Sequence, residues 1–289
     1  KAWAATNTAL STVDDTPAFP SEFSPFLKRL FPDEHELEDL FSEMIAWWYS
    51  PKRPWSQFSD NHRSLKCFPN RPLSPSLVRR TFNISSNEAE MLKQLVRKEL
   101  QADPETLRLS NFVVSYAFAI NCVIQAKRIE SSCYILHLRN CRVDKDSSEN
   151  YFGNYCIPNR CKYEATVETS ESTYGLASIA KEVAGSVKDS KSMTVRDAAN
   201  VVTFGNIFGP ASQCFCVSYH PVFRLYEVDY GWGKPIKTEA VSVEDLGTFA
   251  INDNRDGDGL QIQLVLETDV MESFSSLFLQ GLKKCAVSN

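Results

Sequence analysis

Nine of the chain's 14 prolines fall between Pro17 and Pro75 (Pro17, Pro20, Pro25, Pro32, Pro51, Pro54, Pro69, Pro72, Pro75). Each removes a backbone donor and fixes φ, so long helices or strands are excluded from most of this stretch. Its one helical pattern is Glu34–Tyr49, where Leu37, Leu40, Phe41, Met44, Ile45 and Trp48 recur at three-and-four spacing. A connection of this length between regular elements reads as a crossover between two domains. The expected organisation is therefore residues 1–9 closing an N-terminal domain, 10–75 as proline-rich crossover, and 76–289 as a C-terminal domain. Lys1-Ala2-Trp3-Ala4-Ala5 reads as a helix already under way, and a segment preceding Lys1 is expected.

With 289 residues, 43% of them hydrophobic, the chain can bury a large core. Its 31 basic and 36 acidic residues are interspersed, so no basic face is offered to nucleic acid. No apolar run approaches the roughly 20 residues of a membrane span, and no N-terminal leader pattern is present, so neither a membrane partner nor secretion is expected. The nine cysteines are odd in number and scattered, which reads as reduced thiols in the cytoplasm. Cys156 with Cys161, and Cys214 with Cys216, lack paired C-x-x-C knuckles, so no metal site is expected.

Regular structure is expected from residue 78 onward. Val78–Ile84 alternates like a strand, and Ser85 with Glu88 forms a capping-box signature for a helix to about Gln101. Asn111–Arg128 reads as a buried helix and Ser132–Asn140 as a buried strand. Helices are expected over Tyr174–Lys188 and Met193–Thr203, then strands over Gln213–Tyr219 and Leu225–Asp229. Two apolar alternations, Gly247–Ile251 and Leu260–Leu266, flank Asp256-Gly257-Asp258-Gly259, which reads as a hairpin turn, its acidic residues lacking calcium-loop spacing. A helix from Asp269 to about Lys284 follows. Strands and helices without β-α-β rhythm predict an α+β fold, a mixed sheet with helices over one face.

The string that bears most on chemistry is Asp229-Tyr230-Gly231-Trp232-Gly233-Lys234-Pro235. Two glycines around a tryptophan permit backbone conformations closed to other residues while fixing a large ring. Taken alone, it reads equally well as a tight turn beneath a core tryptophan. Tyr151-Phe152-Gly153-Asn154 precedes it, and Ser273-Phe274-Ser275-Ser276-Leu277-Phe278-Leu279-Gln280-Gly281-Leu282 follows near the end.

Together these strings resemble the plant BAHD acyltransferases, whose C-terminal signature is D-F-G-W-G; four of five positions match, with Tyr230 in place of phenylalanine. Tyr151–Asn154, the arginine of Asn140-Cys141-Arg142, and the 252–282 tail resemble the branch acting on anthocyanins and other phenolic glycosides, malonyltransferases included. The resemblance implies a two-domain fold like chloramphenicol acetyltransferase, with residues near 205–235 at the interface to the N-terminal domain. It implies an acyl-CoA co-substrate, malonyl-CoA among the candidates, with no permanently bound cofactor, and a phenolic glycoside acceptor.

In the family, the histidine of H-x-x-x-D-G is the general base that deprotonates the acceptor hydroxyl. By this resemblance it lies before Lys1, in the N-terminal part of the same protein. His35-Glu36-Leu37-Glu38-Asp39 matches H-x-x-x-D, but no glycine follows; His62, His137 and His220 read as ordinary core or surface histidines. The visible residues are then supporting parts. The resemblance pairs Asp229 structurally with Arg142, sets Trp232 between Gly231 and Gly233 near the substrate tunnel, and puts Ser110-Asn111-Phe112 beside the pantetheine of CoA. Ser110 or Asn111 reads equally well as a plain helix cap. Two other readings remain: an acyltransferase acting on alkaloid or terpenoid alcohols, and a non-catalytic module with a CoA-binding fold.

Overall fold

The structure is a computed structural model, and it describes residues 75–141, 156–166, 173–193, 214–219, 224–240 and 247–287. Residues 1–9, most of the 10–75 crossover, and Met193–Thr203 beyond Met193 lie outside that set.

The described residues build one six-stranded mixed sheet. In chain order the elements are β1 (Leu77–Ser85), α1 (Ser86–Leu100), α2 (Asn111–Lys127), β2 (Ser132–Asn140), β3 (Cys156–Glu164), α3 (Thr173–Asp189), β4 (Cys214–Tyr219), β5 (Thr248–Asp253), β6 (Gly259–Glu267) and α4 (Thr268–Val287). The strands lie in the order β1-β6-β5-β4-β2-β3. β1, β6 and β5 pair antiparallel, as do β2 and β3, whereas β5, β4 and β2 run parallel.

Alternation along the strands sorts the two faces. Ile84, Cys133, Ile135, Phe215, Val217, Phe249, Ile251, Leu260, Ile262, Leu264 and Leu266 join α1–α4 in one buried core. All four helices therefore cover one face of the sheet, as expected. α2 is buried along almost its whole length, from Phe112 to Ile124, and forms the centre of the helical layer. The α2–α4–β1 junction is aromatic: Phe278 lies 4.9 Å from Phe82 and 5.0 Å from Phe118, and Phe274 stacks edge-on to Phe82 at 5.0 Å.

The capping box at α1 forms as read: Ser85 Oγ accepts from Glu88 N at 3.2 Å, and Ser85 N donates to the Glu88 carboxylate at 2.8 Å. The Asp256–Gly259 turn also forms, tied by Asn254, whose side-chain oxygen accepts from Asp258 N and Gly259 N. Two expectations need correction. Leu225–Asp229 is no strand; Leu225–Glu227 makes a single 3-10 turn entered through Arg224 at φ 43°. β3 was not foreseen, because Pro158 and its polar neighbours weaken the strand pattern. At the edge of the described sheet, where its described partner is β2, it tolerates a proline that a central strand would not.

Candidate active site

The sheet face away from the helices is where the D-Y-G-W-G segment sits. β6 presents Gln261, Gln263 and Val265 there, on the side opposite Leu260, Ile262 and Leu264. Both glutamines are buried, Gln261 at 4% and Gln263 at 0% exposure. Nothing in the sequence marked them. Here they hold the covering chain 224–240. Gln261 Oε1 accepts from the Tyr226 hydroxyl at 2.9 Å, and its Nε2 donates to Thr238 Oγ1 at 2.9 Å. Gln263 Nε2 donates to Thr238 O at 2.7 Å, and its Oε1 accepts from Ala240 N at 2.6 Å. The Tyr226 hydroxyl in turn accepts from Thr238 N at 3.2 Å.

At the tip, Asp229 folds back on the turn. Its Oδ1 accepts from Gly231 N at 2.7 Å and Gly233 N at 3.0 Å, bonds made possible by φ of 98° at Gly231 and 97° at Gly233. Those angles explain why glycine brackets the tryptophan. Trp232 itself is 91% exposed, and Ile236 and Tyr230 are exposed beside it, so this is not a turn over a core tryptophan. Asp229 is exposed as well. Arg142 and Tyr151–Asn154 lie outside the described residues, as do His35, His62 and His220.

Ser110 stands at the N-terminus of α2, on the helix-covered side rather than with the loop. Its hydroxyl accepts from Val113 N at 3.2 Å, the capping role read from sequence. Asn111 is the first residue of the helix and half-buried. His137 is a core residue: it is 4% exposed, its Nε2 lies 3.0 Å from Ser186 Oγ, and its ring meets Phe112 edge-on. Burial pushes its imidazole down to about 4, leaving a neutral ring far from a general base's working range. Three of the thiols, those of Cys133, Cys161 and Cys214, are no better placed for chemistry. Burial pushes Cys133 up to about 11, and Cys161 and Cys214 up to about 12, which suppresses the thiolate a nucleophile requires.

A profile of the Transferase family matches residues 38–280. The chain belongs to that family, the BAHD acyltransferases. This BAHD chain is 26% identical to phenolic glucoside malonyltransferase 1 of Arabidopsis thaliana, over 85% of its own length and 55% of that protein's. It is 25% identical to malonyl-CoA:anthocyanidin 5-O-glucoside-6''-O-malonyltransferase of the same plant, over 98% of its own length and 61% of the other's. Among solved structures, vinorine synthase shares the fold with a TM-score of 0.55 at 18% identity, over 72% of this chain and 49% of that one. The chain thus spans about half the length of the relatives it matches, from 44% to 61%.

Within the described residues, the D-Y-G-W-G segment of this BAHD chain is held by a hydrogen-bonded scaffold. Asp229 shapes the loop through two backbone amides, and the glutamines fasten it to the sheet.

Proposed function

We propose that this chain is the C-terminal part of an enzyme that moves an acyl group from acyl-CoA to a hydroxyl of a phenolic or flavonoid glycoside. The match of residues 38–280 to the family carries the reading, and the likeness to glucoside malonyltransferases supports the donor and acceptor classes. The base is a histidine in the segment preceding Lys1. It takes the acceptor hydroxyl proton as the oxygen attacks the thioester carbonyl; the tetrahedral oxyanion collapses, the C–S bond breaks, and the protonated histidine returns the proton to the CoA thiolate. Transfer is direct, so the high proton affinity of the buried thiols costs the reaction nothing. Bringing two substrates to one base supplies much of the rate.

The roles in this chain are supporting ones. Ser110 and Asn111 at the N-terminus of α2 lie beside the pantetheine of CoA, where the helix end favours nearby negative charge. Asp229, paired with Arg142, holds the loop of Tyr230, Gly231, Trp232 and Gly233. The enzyme works in the cytoplasm, where acyl-CoA donors and reduced thiols coexist.

Product analysis tests the acceptor class. The chain together with the segment preceding Lys1, given malonyl-CoA or a hydroxycinnamoyl-CoA, is incubated with a phenolic glucoside, its aglycone, or an alkaloid alcohol. Acylation on the sugar of the glucoside alone is expected; acylation of only the alkaloid alcohol would replace this reading with the alternative acceptor.

A further inference from the structure

The loop carrying Asp229–Gly233 is closed at its neck by a single buried hydroxyl. Tyr226 and Thr238 stand twelve residues apart and meet there. The Tyr226 hydroxyl donates to Gln261 Oε1 and accepts from Thr238 N, while Gln261 Nε2 returns to Thr238 Oγ1. These contacts form a closed ring of hydrogen bonds in which both ends of the Gln261 carboxamide are used. Tyr226 is 7% exposed and Gln261 is 4% exposed, so water cannot readily substitute for a lost partner. Gln263 fastens the outgoing chain one step further along, through Thr238 O and Ala240 N. Between the two ends, the chain makes a compact excursion of the kind whose ends lie together and whose tip faces solvent.

From this geometry we infer that Tyr226 and Gln261 are positioning residues: they clasp the neck of the D-Y-G-W-G loop to β6 and set where Trp232 stands. Both are occupied by bonds within the protein. They act on acyl transfer through the loop alone, and this second clause rests on the function proposed above. Asp229 organises the tip, while Gln261, Gln263 and Tyr226 tie the neck to β6, and the loop's place on the sheet follows from where that neck is held. A ring of neutral, fully paired groups suits this role, because it holds without a charge whose strength would vary with salt or pH.

Amide exchange resolved at single residues in Tyr226→Phe, compared with the unmodified chain, tests the clasp. Tyr226 itself bonds only Thr238 N among the loop amides. If the neck governs the loop, Gly231 and Gly233, whose amides bond Asp229, should exchange at least tenfold faster, while β5 and β6 keep their protection. Faster exchange confined to Thr238 would reduce Tyr226 to a local contact and overturn the proposal. Thr238→Val, which removes only the Oγ1 partner of Gln261 at a half-buried site, gives the same reading should Tyr226→Phe fail to fold. Thiol release by the chain with the segment preceding Lys1 then tests the second clause. A fall in turnover of at least fivefold is expected, in protein that is still fully folded at the assay temperature although its unfolding midpoint is lowered. Faster loop exchange with unchanged turnover would overturn the positioning role. Absence of thiol release from the unmodified protein would instead defeat the proposed function, and the exchange result would still decide the clasp.

Discussion

His137 sits between Phe112 and Ser186 with almost no access to water, and that environment sets its chemistry. Its folded-state value of about 4 lies below the 6.5 of an unfolded histidine, so between those pH values the unfolded chain binds the extra proton. The contribution of neutral His137 to stability is therefore fully present above about pH 6.5 and is lost as pH falls toward 4. The ceiling is about 3 kcal/mol, at 1.36 kcal/mol for each unit of separation. Urea midpoints at pH 7.5 and pH 5 should drop with acid in the unmodified chain, and His137→Gln should flatten much of that drop. An equal drop in both proteins would show that other groups carry the acid sensitivity. A second residue-scale expectation concerns Gly247, which joins the described sheet at φ 91° with its Cα hydrogen turned toward the carbonyl of Cys214. An added Cβ would stand 2.3 Å from that oxygen, so Gly247→Ala should lower stability by roughly 1–3 kcal/mol in denaturant titration.

At the scale of elements, the aromatic junction among Phe82, Phe118, Phe274 and Phe278 ties β1 to α2 and α4. Phe278 is 1% exposed and touches three other rings, so Phe278→Ala should cost about 3–5 kcal/mol. A loss below about 1 kcal/mol, measured by the same titration, would mean that the helical layer closes over the vacancy. Most of these elements were legible, since each announces itself locally. The Ser85–Glu88 box, the apolar run of α2 and the alternation of Ser132–Asn140 are short-range signals. What escaped depended on distant partners. β3 is a strand because β2 offers it an edge, and Pro158 hides that from local pattern. Leu225–Glu227 has strand-like composition, yet it turns so that Tyr226 can reach Gln261, thirty-five residues on. The burial of Gln261 and Gln263 leaves no local signal, because the chain that covers them belongs to another part of the sequence.

At the scale of the molecule, the D-Y-G-W-G string was legible as a motif but not as a location. Its glycines and aspartate declare the turn; only the fold shows that the turn rides on the polar face of the sheet, with Trp232 outermost and α2's N-terminus across the sheet. The face covered by helices supplies stability, and the opposite face carries the family motif on a clasped loop. This division suits the supporting role proposed for the chain. The central claim is that this chain is the supporting part of a BAHD acyltransferase whose base lies in the segment preceding Lys1. Thiol release from an acyl-CoA panel with a phenolic glucoside acceptor, measured on the chain alone and on the chain with that segment, tests it most directly. Release only when the segment is present is the predicted result. Sustained release from the chain alone would contradict the account and place the general base among the residues of this chain, with His35 the first to replace.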